Sequence, residues 1–198
     1  MPNGKPEVVS EDKQIARKVA LAFGCETTTE RHLDSTRKLE ISILCAANCP
    51  IPGVNSYSTI GLWRTSLEGG PDALPVRLEL VAAFPANKDG FREVLAAAAF
   101  RIIRTRKAAA PGHAFPDYVH EWYPKATVPH IFFSVPSSWE EDALNDMRMG
   151  NLEVQFLQIL PISQAEYDFL LEHGEDALEL KFIDGAVDFY DLKRKSVI

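Results

Sequence analysis

The chain has 198 residues, of which 46% are apolar and 25% charged, so a core can be buried without disulfide staples. Its formal net charge of −7 and sequence pI near 5.3 argue against nucleic acid or an anionic membrane as partner, because both reward clustered positive charge. No apolar run approaches the roughly 20 residues that span a bilayer, and the first residues lack a signal peptide's apolar core, so the expected compartment is the cytoplasm.

In chain order, residues 1–10 carry two prolines and a glycine and read as a flexible arm. A helix is expected over 11–23, with Ile15, Val19 and Phe23 at i+4 steps, Ser10 as N-cap and Gly24 as terminator. Residues 38–46 read as a strand with Leu39, Ile41, Ile43 and Cys45 on one face, followed by a turn-rich loop over 48–55. Further strands are expected over 57–64 and 76–84, separated by the loop sequence EGGPD at 68–72.

Residues 87–107 form the longest helical pattern, with Phe91, Leu95, Ile102 and Ile103 on its buried side, and residues 108–116 break it. Ser138 with Glu141 has the spacing of a capping box, which also accounts for the acidic run Glu140, Glu141, Asp142. Strands at 129–135 and 152–160 follow, the second ended by Pro161, which cannot donate to a ladder. Ser163 stands three residues before Glu166, the spacing of a reciprocal N-cap, and Gly174 supplies the stop of that helix. Tyr167, Leu170 and Leu171 share its apolar face. A short helix at 175–182 and a last strand or edge-packed segment at 187–198 complete the chain. This irregular mixture predicts an α/β (α+β) fold: a single domain over 11–198 with a mixed, largely antiparallel β-sheet flanked by helices.

No nucleophile elbow, phosphate-binding glycine loop, dinucleotide fingerprint or HExxH pattern occurs, so no cofactor is expected. Cys45 and Cys49 are four apart, but tetrahedral zinc wants two such pairs, and Cys45 shares an apolar strand face. Cys25 has no neighbour in sequence to pair with, and three cysteines do not resemble a disulfide framework. No metal is expected. Arg101, Arg104, Arg106 and Lys107 read as cations gathered at a helix C-terminus. His113, His120 and His130 share a polar, Pro-rich region with Asp117 and Glu121, where satisfied or surface histidines are the ordinary outcome. The aromatic cluster Phe115, Tyr118, Trp122 and Tyr123 has two readings: anchors of an interface, or a cover packed over the sheet.

Several phrases, taken in order, resemble the suppressor of fused domain family, especially its bacterial members. VQFLQILPISQAEYDFLLEHGEDALELKF (154–182) is similar to that family's strand, Pro, Glu-containing helix and Gly-ended turn. DLKRKSV (191–197) resembles its closing Asp–x–x–Arg–x–Ser motif, and SYSTIGLW (56–63) its Tyr–x–Thr–x–Gly–x–Ser strand, with Trp63 where a small polar residue is commoner. RLELVAAFP (77–85), the Trp-containing stretch 117–124 and PHIFFSVP (129–136) complete a likeness that covers residues 35–198.

The resemblance implies protein binding rather than catalysis. Bacterial members are associated with polymorphic toxin systems as immunity proteins, or antitoxins, so the implied partner is a toxin domain or an extended peptide segment. By position, Asp117 falls near the Asp of the family's peptide-binding loop. The resulting expectation is a partner-binding surface of Phe115, Asp117, Tyr118, Trp122 and Tyr123. The competing expectation is a hydrolase or metal-dependent enzyme with a dispersed site around His113, Asp117 and His120.

Overall fold

Hydrophobic residues on both faces of one sheet organise the molecule. The computed structural model describes residues 10–67, 76–88 and 90–198. The expected arm, apart from Ser10, and the 68–72 loop lie outside them. The elements are α1 (Ser10–Phe23), β1 (Thr27–Leu33), β2 (Glu40–Ala46), β3 (Val54–Ile60), a 3-10 turn (Leu62–Arg64), β4 (Val76–Pro85) and α2 (Phe91–Thr105). There follow β5 (Ala114–Phe115), β6 (His130–Ser134), β7 (Met147–Met149), β8 (Leu152–Ile162), α3 (Gln164–His173) and α4 (Glu175–Asp184). The strands pair in the order β1-β2-β3-β4-β8-β6-β5, with β7 also on β8. β4 and β8 run parallel and the other pairings are antiparallel, so the expected mixed, largely antiparallel sheet with flanking helices is what forms.

β4 shows why the strand is almost uniformly apolar. Leu78, Leu80, Ala82 and Phe84 face the cluster that contains α2, whereas Val81 faces Ile15, Val19 and Phe23 of α1. Period-two alternation therefore has apolar residues at both phases. Each fully buried α1 side chain contributes on the order of 1.5–3 kcal/mol, which holds that helix to the sheet. A third cluster joins Phe132, Leu160 and Ile162 to Leu170, Leu178 and Phe182 of α3 and α4.

The structure corrects several expectations. β1, TTTERHL, is an edge strand that no sequence pattern marks, because it is largely exposed on both faces and shows no apolar alternation. Pro161 does not end β8. It lies past Gln158, where the pairing with β4 stops, and pairs with Ile131. Its carbonyl accepts from Arg194 Nη2 at 3.0 Å, so that side of Pro161 faces no strand and the missing N–H costs no ladder bond.

Ser138 and Glu141 start no helix. Gln158, buried in β8, draws that loop inward instead, accepting from the Ser137 amide at 2.8 Å and donating to Ser138 Oγ. Cys25 and Cys49 form a disulfide with Cα atoms 6.6 Å apart. Packing of α1 on the sheet brings together two thiols that sequence spacing keeps apart. Cys45 is the free cysteine, and burial pushes its thiol up to about 11, so it stays a protonated packing group. The tail forms no strand; Thr127 draws it in, its amide donating to Leu192 O at 2.8 Å.

Candidate partner-binding surface

α2 is crossed on its outer side by two loops distant in sequence. One is the turn after β1, where Asp34 accepts hydrogen bonds from Thr36 Oγ1, the Lys38 and Leu39 amides and Arg104 Nη2. The Thr36 hydroxyl leads the causes that hold this carboxyl far below the usual carboxylate range. The other is the loop between β5 and β6. Leu33–Ser35 and Pro116–Trp122 wall a cleft of about 420 Å³ whose floor is α2. Arg104 is committed to Asp34, so the remaining charges around the cleft, Glu93, Asp117 and Glu121, are acidic.

Four of the five expected site residues are half-buried aromatics. Phe115, Tyr118, Trp122 and Tyr123 all pack against the main core, as the cover reading expects, and their outer faces line surface hollows. The Arg101 guanidinium stacks 4.1 Å from the Phe115 ring centroid and 5.7 Å from that of Tyr118. Two of the four expected helix-end cations thus have specific partners, Arg101 on these rings and Arg104 on Asp34. The Tyr123 hydroxyl donates to Lys88 O at 2.8 Å, pinning the loop to the start of α2. Trp122 belongs to the Asp117 cleft and also to a neighbouring apolar hollow with Tyr190 and Leu192.

Asp117 is the exposed member, with 74% of its side chain accessible, and its backbone is left-handed at φ 64°. Its amide donates to His130 Nδ1 at 2.9 Å. Nδ1 is therefore the acceptor, and the proton sits on Nε2, which donates to Gln164 Oε1 at 2.9 Å. His130 is a structural peg that sets the conformation of Asp117. His120 meets the carbonyl of Ala126 and His113 lies exposed on a turn. Among the described residues, no three His, Cys, Asp or Glu side chains converge so as to hold a metal ion. The sequence had no signal for the opposite wall of the cleft, since Asp34 and Asp117 meet only through α2.

Two buried carboxylates hold the frame of this surface. Glu79 in β4 accepts from the amides of Gly61 at 2.7 Å and Trp63 at 3.3 Å, with Thr59 Oγ1 against its other oxygen. Burial pushes it up to about 8 against the pull of those groups, so it is protonated at neutral pH. The Thr59 hydroxyl donates to Glu79 Oε2 and accepts from the Leu80 amide at 2.8 Å.

Glu166 is also fully buried but has a cation. Arg194 grips it with both terminal nitrogens, at 2.6 and 2.7 Å, while the amides of Ser163 and Val197 donate to it. Burial alone would raise this carboxyl; Arg194 and the amides outweigh that and leave it below its ordinary value. Ser163 completes the capping box and meets Ser196 Oγ at 2.8 Å. Thr59, Gly61 and Arg194 all belong to the family-like phrases 56–63 and 191–197, and each bonds one of these two carboxyl groups, whereas Ser196 of the second phrase bonds the cap residue Ser163.

Residues 37–195 match the family described as suppressor of fused protein (SUFU). The chain belongs to the suppressor of fused family. It is 35% identical to the immunity protein YqcF of Bacillus subtilis (strain 168) over 191 residues, covering 96% of this chain and 99% of that protein. Its fold matches a suppressor of fused homologue from Neisseria gonorrhoeae FA 1090 with TM-score 0.72 and 19% identity, over 94% of this chain and 96% of the other. It also matches the Sufu–Fu complex structure with TM-score 0.67 and 12% identity, over 93% and 91%. The suppressor of fused fold thus extends over nearly the whole chain. Among the described residues, no helix is long and apolar enough to cross a membrane.

Proposed function

We propose that this suppressor of fused member is an immunity protein that neutralises a cognate toxin by direct, stoichiometric binding, without catalysis, as one domain over residues 11–198. The observation that carries the reading is near end-to-end similarity to a protein named as an immunity protein. The Sufu–Fu complex adds that a protein of this fold takes a protein partner. We assign the docking surface to the acidic cleft over α2, with Asp117 and Glu121 at its mouth, Tyr118 and Trp122 as its aromatic wall, and Phe115 and Tyr123 in the adjoining hollows as its margins. Their rings are already ordered by the core, so little side-chain entropy is lost on binding.

The test coexpresses the chain with a toxin domain encoded beside its gene, where this reading expects one. Coexpression is expected to restore growth, and continued killing overturns the neutralising role. Asp117→Asn with Glu121→Lys is expected to weaken the complex at least tenfold by calorimetry, with Tm unchanged, because both side chains are exposed and Asn tolerates the left-handed backbone. An affinity within twofold of the parent moves the docking surface off the cleft.

We place this action in the cytoplasm. There the Cys25–Cys49 pair is expected to be reduced, and thiol labelling of acid-quenched cells checks it. Labelling of Cys45 alone argues for an oxidising compartment instead.

A further inference from the structure

A second surface, away from the α2 cleft, has the character of a docking groove. Val135, just past β6, is 62% exposed, and Ile183 on α4 is 73% exposed. They are not isolated. Both line a groove of about 340 Å³ that also reaches Phe182, Phe189 and Leu160. Large aliphatic side chains left in water over an aromatic floor are what a partner covers when it docks.

Charge decides the kind of partner. Residues 172–191 hold seven acidic side chains, Glu172, Glu175, Asp176 and Glu179 on one side of Lys181 and Asp184, Asp188 and Asp191 on the other. The segment carries −6 of the chain's net −7, so the rest of the molecule is close to neutral. Two of these acids, Glu175 and Glu179, line the groove itself. Crowding of like charge is felt there: burial, then Glu179 and Asp176, raise the Glu175 carboxyl.

We propose that the groove between β6 and α4 binds a cationic amphipathic segment of a protein partner, with one or two apolar side chains entering between Val135 and Ile183 and basic residues meeting Glu175 and Glu179 and the acidic stretch that carries them. This goes beyond the α2 cleft assigned above and does not depend on the partner being a toxin. In an acidic immunity protein it would also speed capture of a basic partner.

The test titrates the full chain with three synthetic 14-residue peptides: one of leucine and lysine patterned as an amphipathic helix, one with the leucines replaced by serine, and one with the lysines replaced by glutamate. The Leu/Lys peptide is expected to bind at least tenfold tighter than either control, and to shift the NMR signals of α4 and Val135. Ile183→Ser is expected to weaken it about tenfold, and Asp176→Lys with Asp184→Lys by more; all three residues are exposed, so the fold is retained. Equal binding of the Lys/Ser peptide overturns the apolar groove, and equal binding of the Leu/Glu peptide overturns the charge assignment. Shifts confined to the α2 cleft, no binding, or a self-associated protein that Ile183→Ser turns into a monomer each overturn the proposal. Loss of toxin neutralisation with intact peptide binding removes the function proposed above and leaves this groove standing.

Discussion

Glu79 and Glu166 are both fully buried carboxyl groups in the same sheet assembly, and they meet burial in opposite ways. Glu166 keeps its charge because a guanidinium and two amides surround it. Glu79 has amides and a hydroxyl but no cation among its bonded partners, and it gives up its charge instead. Hydrogen bonds to neutral donors were therefore insufficient to keep a carboxylate ionised here, and a bidentate Arg sufficed. One region is fixed by charge pairing and the other by a protonated carboxyl, so the two respond to pH with opposite sign.

The largest effect comes from breaking the pair. Arg194→Ala leaves Glu166 buried with its charge uncompensated and is expected to cost about 3–5 kcal/mol in urea denaturation. A loss below about 1 kcal/mol would show that solvent reaches Glu166 readily and that the tail is not a latch.

Next is the pH dependence. Folded Glu79 titrates near 8 and the unfolded group near 4.5, so between these values the folded state binds more protons. Its contribution is full below about 4.5 and declines as pH rises towards about 8. Glu166 has the opposite sign: its lowered value adds stability above the ordinary carboxylate range, lost as pH falls through its folded value. Glu79→Gln keeps the acceptor for Gly61 and Trp63 and a polar group beside Thr59, so it is expected to flatten the decline in Tm between pH 5 and 8. An undiminished slope in that variant would assign the decline to other groups. The smallest change is Ser163→Ala, expected to cost about 1 kcal/mol through loss of the cap, with no change in pH slope. A steeper slope in that variant would mean that the cap, and not Arg194, holds Glu166 ionised.

The same contrast explains what could be read from the sequence. The cap of α3 was legible because Ser163 and Glu166 act within one turn of each other, and Gly174 marks the other end of the same short helix. Arg194, which completes that site, is 28 positions away, and only the family likeness of residues 191–197 marked it. The aromatic residues of the β5–β6 loop were legible as a cluster, but not their division into core-facing and cleft-facing sides. The Asp34 wall was not legible at all, because it depends on how β1, an edge strand with no apolar stripe, lies against α2. The continuation of β8 through Pro161 was misread for a related reason. Proline excludes a ladder bond only on the side where a neighbour would need one, and the sequence does not reveal which side is vacant.

The parallel contact of β4 with β8 also constrains the order of assembly. β1 to β4 form successive antiparallel pairs between strands consecutive in sequence, so their pairing entropy is met early and locally. β8 must find β4 across α2, β5, β6, β7 and the loops between them, which is the costliest closure in the sheet. Until that junction forms, β4 presents an open, almost wholly apolar edge to any other extended chain nearby. The period of greatest exposure to misassociation is therefore the interval between completion of the meander and the arrival of β8.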